Sequence, residues 1–156
     1  MEVNIYFATT AKAPKNRVVG YAYVLECITG KGPATMTKGG ILENISAHEA
    51  DISILNDALT RVKEGTGVNI YTESDYIAKA IKEWIPEWQQ NSWRNARGEE
   101  VSLKWQETAN LLRLRPLLSI QTKQIHEYRS WLNTEAKKAR ENADFRGRER
   151  QNQSQH

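Results

Sequence analysis

A chain of 156 residues with 39% hydrophobic side chains is long enough for one domain with its own core, and no apolar run reaches the length of a membrane span. One cysteine, Cys27, excludes an internal disulfide and a cysteine-based metal site. The formal charge of +3 is unevenly placed, with 12 Lys/Arg against 14 Asp/Glu in residues 1–112 and 10 against 5 in residues 113–156, which permits nucleic-acid contact near the C-terminal end.

Residues 3–9 alternate Val3, Ile5 and Phe7 with Asn4, Tyr6 and Ala8 and read as a strand. The opening MEVNIYF has neither the basic nor the apolar region of a leader, so a cytoplasmic location is expected. A loop with Pro14 leads to a second strand over 18–28, where Cys27 counts as a small hydrophobe. A turn at Gly30 and Gly32 leads to a third strand over 34–42, expected to be weak or bulged at Gly39-Gly40. Links this short make the three strands an antiparallel meander. Ser46 followed by Glu49 reads as a capping box, and Ile52, Leu55, Leu59 and Val62 then recur at helical spacing.

A fourth strand over 68–72 follows Gly65 and Gly67, placed to pair parallel with the first. Ser74 can cap a helix carrying Ile77, Ala80, Ile81, Trp84 and Ile85, which Pro86 is expected to stop or kink. Trp88, Trp93 and a turn at Arg97-Gly98 precede a helix over 102–114 with Leu103, Trp105, Ala109, Leu111 and Leu112. The tryptophans read mainly as packing of the helix pair. A fifth strand spans 116–124, and a last helix runs from about His126 to Asn142 with Tyr128, Trp131, Leu132, Ala136 and Ala139 as its contacts. The expected organisation is one domain over 1–143 and a basic polar tail over 144–156, disordered for want of apolar residues.

Residues 68–112 carry a resemblance. Thr72, Glu73, Ser74, Tyr76 and Ile77, then Trp84, Ile85, Trp88, Trp93, Asn95, Ala96, Gly98, Val101 and Trp105 follow in order a pattern similar to the ribonuclease H family in its bacterial type I form. The resemblance implies an α/β fold whose mixed five-stranded sheet has three antiparallel strands, then parallel ones, with flanking helices.

It also implies a site of four carboxylates holding two Mg²⁺ ions, one activating water and the other stabilising the leaving oxygen. In this chain the first position falls on Ala8, which has no ligand atom, and the last near Ser130. Glu49 and Glu73 are the retained carboxylates, the candidate catalytic and metal residues. Glu73 stands where the family has Asp, so its carboxylate lies one methylene further out. Asp51, Asp75 and Glu127 are possible substitutes, although Asp51 diverges from Glu49 by about 200° around the helix. Asp75 also reads as a favourable first-turn charge. His126 would stand near the family's flexible histidine but reads better as a helix-start or surface residue.

Lys12, Lys15, Asn44, Arg94 and Arg97 are the implied nucleic-acid contacts, while Gln89, Gln90 and Asn91 stand where lysines or arginines are common in the family. The leading expectation is a retained fold that binds nucleic acid, such as an RNA/DNA hybrid, with weak or absent hydrolysis. The alternatives are an active divergent nuclease using Mg²⁺ or Mn²⁺, and an interaction module with a protein partner. No membrane association is expected.

Overall fold

A computed structural model describes residues 1–12 and 14–154, with side chains described to residue 144. β1 (Glu2–Thr9), β2 (Asn16–Thr29) and β3 (Gly32–Ile45) form the antiparallel meander, and β4 (Gly67–Thr72) and β5 (Leu117–Thr122) extend it in parallel. The strand order is β3-β2-β1-β4-β5, which is the expected mixed five-stranded sheet. Among the described residues no helix is long and apolar enough to cross a membrane.

Period-two alternation divides β1 between two cores. Ile5 and Phe7 join the larger core beneath α1 (Ala47–Thr60) and α4 (Leu103–Leu114), while Tyr6 and Ala8 join a smaller one that includes Leu132 of α5 (Arg129–Ser154). Trp105 is buried in the larger core, and Trp84, Trp88 and Trp93 pack partly buried against it. Leu103, expected with them, is exposed.

Several local expectations are corrected. β3 runs through Gly39 and Gly40 with unbroken pairing, Gly39 opposite Ala22 and Gly40 opposite Tyr21. A Cβ on Gly40 would come 2.8 Å from the Tyr21 hydroxyl, so this glycine makes room for a ring and does not interrupt the strand. Pro86 does not end its helix. α2 (Asp75–Lys79) widens into a π turn at Ala80–Trp84, then continues as α3 (Ile85–Gln90). The wider turn directs the Ile85 N–H to the Ala80 carbonyl, and the missing proline donor is absorbed at a helical restart. The capping box forms by half. The Glu49 N–H donates to Ser46 Oγ at 3.2 Å, but the Glu49 carboxylate turns to another element.

The last helix begins at Arg129, not His126, and the end expected near Asn142 falls inside it. Over 144–154, within the stretch expected as a disordered tail, the backbone continues as α5; side chains from 145 onward and residues 155–156 lie outside what is described. Leu132 and Ala136 anchor this helix, while Trp131, expected as a contact, is 41% exposed.

The seat of α5 on the sheet is unusually close at Gly20 of β2. A Cβ there would come 1.9 Å from the Ala136 carbonyl oxygen and 2.8 Å from the Arg140 nitrogen. Gly20→Ala is therefore expected to lower the unfolding free energy by about 2–3 kcal/mol in urea titrations. Gly30→Ala, at a glycine with nothing within 4 Å, should change it by less than about 0.5 kcal/mol. Equal effects would mean that α5 can lift away without cost.

Candidate functional site

β1 and β4 lie in parallel with Tyr6 level with Tyr71, so their C-terminal ends share one edge of the sheet. Glu73 follows β4 at that edge, and α5 begins beside it. Ala8 does not face an open site. It is 9% exposed and belongs to the small core with Tyr6, Ala22, Val24 and Leu132.

Three acidic side chains around this edge each meet a cation from a different element. Glu49 Oε2 is 3.1 Å from Lys104 Nζ on α4. Glu73 Oε1 is 3.2 Å from Arg129 Nε, the first residue of α5. Asp75 Oδ2 is 2.9 Å from Lys123 Nζ, just past β5. The hydrogen bond and charge of Lys123 hold the Asp75 carboxyl below its ordinary range, and Asp75 in turn raises the lysine. Lys123 is itself fixed, its N–H donating to the Thr72 carbonyl at 3.1 Å, and its φ of 55° is one that side-chain-bearing residues seldom adopt. The stacked rings of His48 and Tyr76, 3.8 Å apart, join the start of α1, where Glu49 lies, to the first turn of α2.

The other acidic candidates stand apart from these pairs. Asp51 is half-buried on α1 with no partner among the described residues, and burial pushes its carboxyl up to about 7. Glu127 and Ser130 are exposed on either side of the start of α5. Among the described residues no three His, Cys, Asp or Glu side chains converge as a metal-holding group. Mg²⁺ and Mn²⁺ take several hard oxygen ligands. A methyl group at Ala8 and carboxylates already held by ammonium and guanidinium groups do not fit either ion.

His126 is half-buried and leads into α5, its carbonyl accepting from the Arg129 N–H at 3.2 Å. It lies in the turn before α5, its ring 4.5 Å from Tyr6 and 6.2 Å from Tyr71. Its Nδ1 is buried without a hydrogen-bond partner, and burial lowers its pKa, which favours the neutral imidazole.

Of the implied nucleic-acid contacts, Lys15 and Asn44 line one shallow cavity of about 350 Å³ with Asn16, Arg17 and Ser46. Lys12 is exposed in the same β1–β2 loop. Asn44 adopts a φ of 51° at the end of β3, a conformation asparagine tolerates. Arg94 is committed within its own turn, donating to the Gly98 carbonyl at 2.9 Å and lying 3.8 Å from Glu100. Arg97 is exposed on that turn.

Reading by resemblance missed a buried carboxylate. Glu26 on β2 is 4% exposed and accepts hydrogen bonds from Asn4 Nδ2 at 2.9 Å, from the Tyr6 hydroxyl at 3.3 Å and from the Tyr128 hydroxyl. Asn69 Nδ2 donates to Asn4 Oδ1 at 3.0 Å, and Ser119 Oγ donates to Asn69 Oδ1 at 2.7 Å. The network thus crosses β2, β1, β4 and β5. A lone glutamate in an otherwise apolar strand was its signal in the sequence.

Burial alone would raise the Glu26 pKa, but the donors from Tyr128, Asn4 and Tyr6 outweigh it and hold it below the ordinary value of 4.5. Its contribution to stability is then present above 4.5 and fades as pH falls through the lowered value. Wild type should exceed Glu26→Gln by about 1–3 kcal/mol near pH 7, with the gap closing toward about pH 3. Denaturant melts across that range check this, and a gap independent of pH would contradict it.

The comparisons with known proteins agree with this fold. A family model described as RNase H matches residues 2–144. The ribonuclease H of Cupriavidus necator is 30% identical over 112 residues, covering 70% of this chain and 74% of that protein. The ribonuclease H of Caldicellulosiruptor saccharolyticus is 35% identical over 78 residues, 48% of this chain and 54% of that one. That of Nitratidesulfovibrio vulgaris is 30% identical over 110 residues, 69% and 64%. The chain thus spans between half and two thirds of the length of the latter two relatives. Among solved structures, LC9-RNase H1, a type 1 RNase H with the type 2 active-site motif, has a TM-score of 0.73 at 15% identity, over 90% of this chain and 72% of that one. The solution structure of the prototype foamy virus RNase H domain has a TM-score of 0.64 at 19% identity, over 92% and 93%.

Proposed function

Because this chain belongs to the RNase H family, we propose that it binds nucleic acid of the RNA/DNA-hybrid class and has little or no two-metal hydrolytic activity. Fold alone does not fix function. The observation that carries the reading is Ala8. Where the resemblance implies a metal-ligating Asp, a methyl group is packed in the small core with Leu132. A carboxylate restored there would lie against an apolar contact and pay for its desolvation. The ion pairs of Glu49 with Lys104 and Glu73 with Arg129 support the same reading. Lys12, Lys15, Asn44 and Arg97 remain on the surface for phosphate contact.

The test is cleavage of an end-labelled RNA/DNA hybrid with Mg²⁺ and, separately, Mn²⁺, beside a Glu49→Gln, Glu73→Gln double variant. The expected outcome is that wild type cuts no faster than the double variant with either ion while retaining hybrid affinity. Cleavage by wild type alone would make the protein an active nuclease, and absence of hybrid affinity would remove the binding function.

A further inference from the structure

The edge, where no metal-ligating set converges among the described residues, is well supplied with cations. Arg129 and Lys123 pair there from different elements, and the charge of Glu73, as well as that of its partner Asp75, favours the ammonium form of Lys123. We propose that Arg129 and Lys123 form a metal-independent contact for a phosphodiester of bound nucleic acid, with Glu73 and Asp75 holding the two cations in place. This inference rests on the nucleic-acid-binding reading above.

The donors are available. Arg129 uses Nε toward Glu73, and its two terminal amino groups have no partner among the described residues. A guanidinium carries five N–H donors in a planar fork that matches a phosphate. Lys123 has three donors and directs one to Asp75. Both pairs are open to solvent, with side-chain exposures of 46% and 44% for Arg129 and Glu73 and 63% and 68% for Lys123 and Asp75. Pairs this exposed contribute little to folding, so sharing their cations with an incoming phosphate costs the protein little. The cation between two anions then does the bridging that a divalent ion does in a carboxylate–phosphate site.

The backbone points the same way. The left-handed φ of Lys123 is held by its hydrogen bond to the end of β4, and such strained residues gather at ligand-binding positions. Other cations lie away from this edge. Lys38 and Arg61 meet Asp57, itself bound to the buried Tyr23 hydroxyl, and Arg17 meets Asp144 across the groove between β3 and α5.

The experiment is fluorescence anisotropy of a labelled RNA/DNA hybrid, titrated in EDTA and in Mg²⁺. Variants are Arg129→Gln with Lys123→Gln, a charge-matched control of Lys31→Gln with Lys63→Gln, and the conservative Arg129→Lys. Thermal melts confirm that each folds. The proposal expects equal wild-type affinity in EDTA and Mg²⁺, and a loss of about tenfold in the Arg129/Lys123 variant with a shallower salt dependence. It expects less than about a twofold change in the control and partial recovery in Arg129→Lys. Affinity that requires Mg²⁺ would overturn the proposal. So would an Arg129/Lys123 variant no weaker than the control, although hybrid binding itself would then stand. No binding by wild type in either buffer would overturn both readings.

Discussion

The close contact between Gly20 and α5 governs the architecture of this side of the sheet. With only a hydrogen on the Gly20 Cα, the Ala136 carbonyl can sit where a methyl group would otherwise be. That approach seats the helix and brings three of its residues, or residues just before it, to their partners. Leu132 covers the Ala8 core, Arg129 reaches Glu73, and Tyr128 reaches Glu26. A helix held further out would expose Ala8 and leave Glu26 buried with fewer donors, which is costly for an ionised carboxylate.

The same constraint accounts for the electrostatics of the edge. Clustered carboxylates repel one another and resist ionisation unless cations stand nearby. In this chain three acidic groups around the edge each have a side-chain cation: Lys104 for Glu49, Arg129 for Glu73 and Lys123 for Asp75. These three pairs are neutral without a metal ion. Ammonium and guanidinium groups donate hydrogen bonds but offer neither a coordinated water nor a Lewis-acid centre, so an edge built from them can hold a phosphate without activating its hydrolysis.

Much of the fold was legible because its signals are local. Alternation in β1 and β2, the Ser46 and Ser74 caps and the helical spacing of α1 and α4 all appear close to where they were expected. Of the stop or kink expected at Pro86, the stop does not occur, because a π turn places the proline where its missing N–H does no harm, and local rules do not anticipate that turn. Gly39-Gly40 misled because the reason for glycine lay across the strand pair, in the Tyr21 ring. At the site, Glu49 and Glu73 could be picked out as carboxylates, but their partners could not. Lys104 and Arg129 are 55 and 56 residues further along the chain, and nothing in a single sequence pairs them. His126 was placed near the start of the last helix, but its contacts with Tyr6 and Tyr71, from two other strands, could not be read.

The central claim is that side-chain cations, and not divalent ions, neutralise this edge. Titration of the protein with Mn²⁺, followed by electron paramagnetic resonance of the free ion, tests it most directly. The account predicts no saturable Mn²⁺ uptake at millimolar concentrations, with Glu73→Gln indistinguishable from wild type. Stoichiometric uptake that disappears in Glu73→Gln would contradict it, because the carboxylate would then be holding a metal ion in place of Arg129.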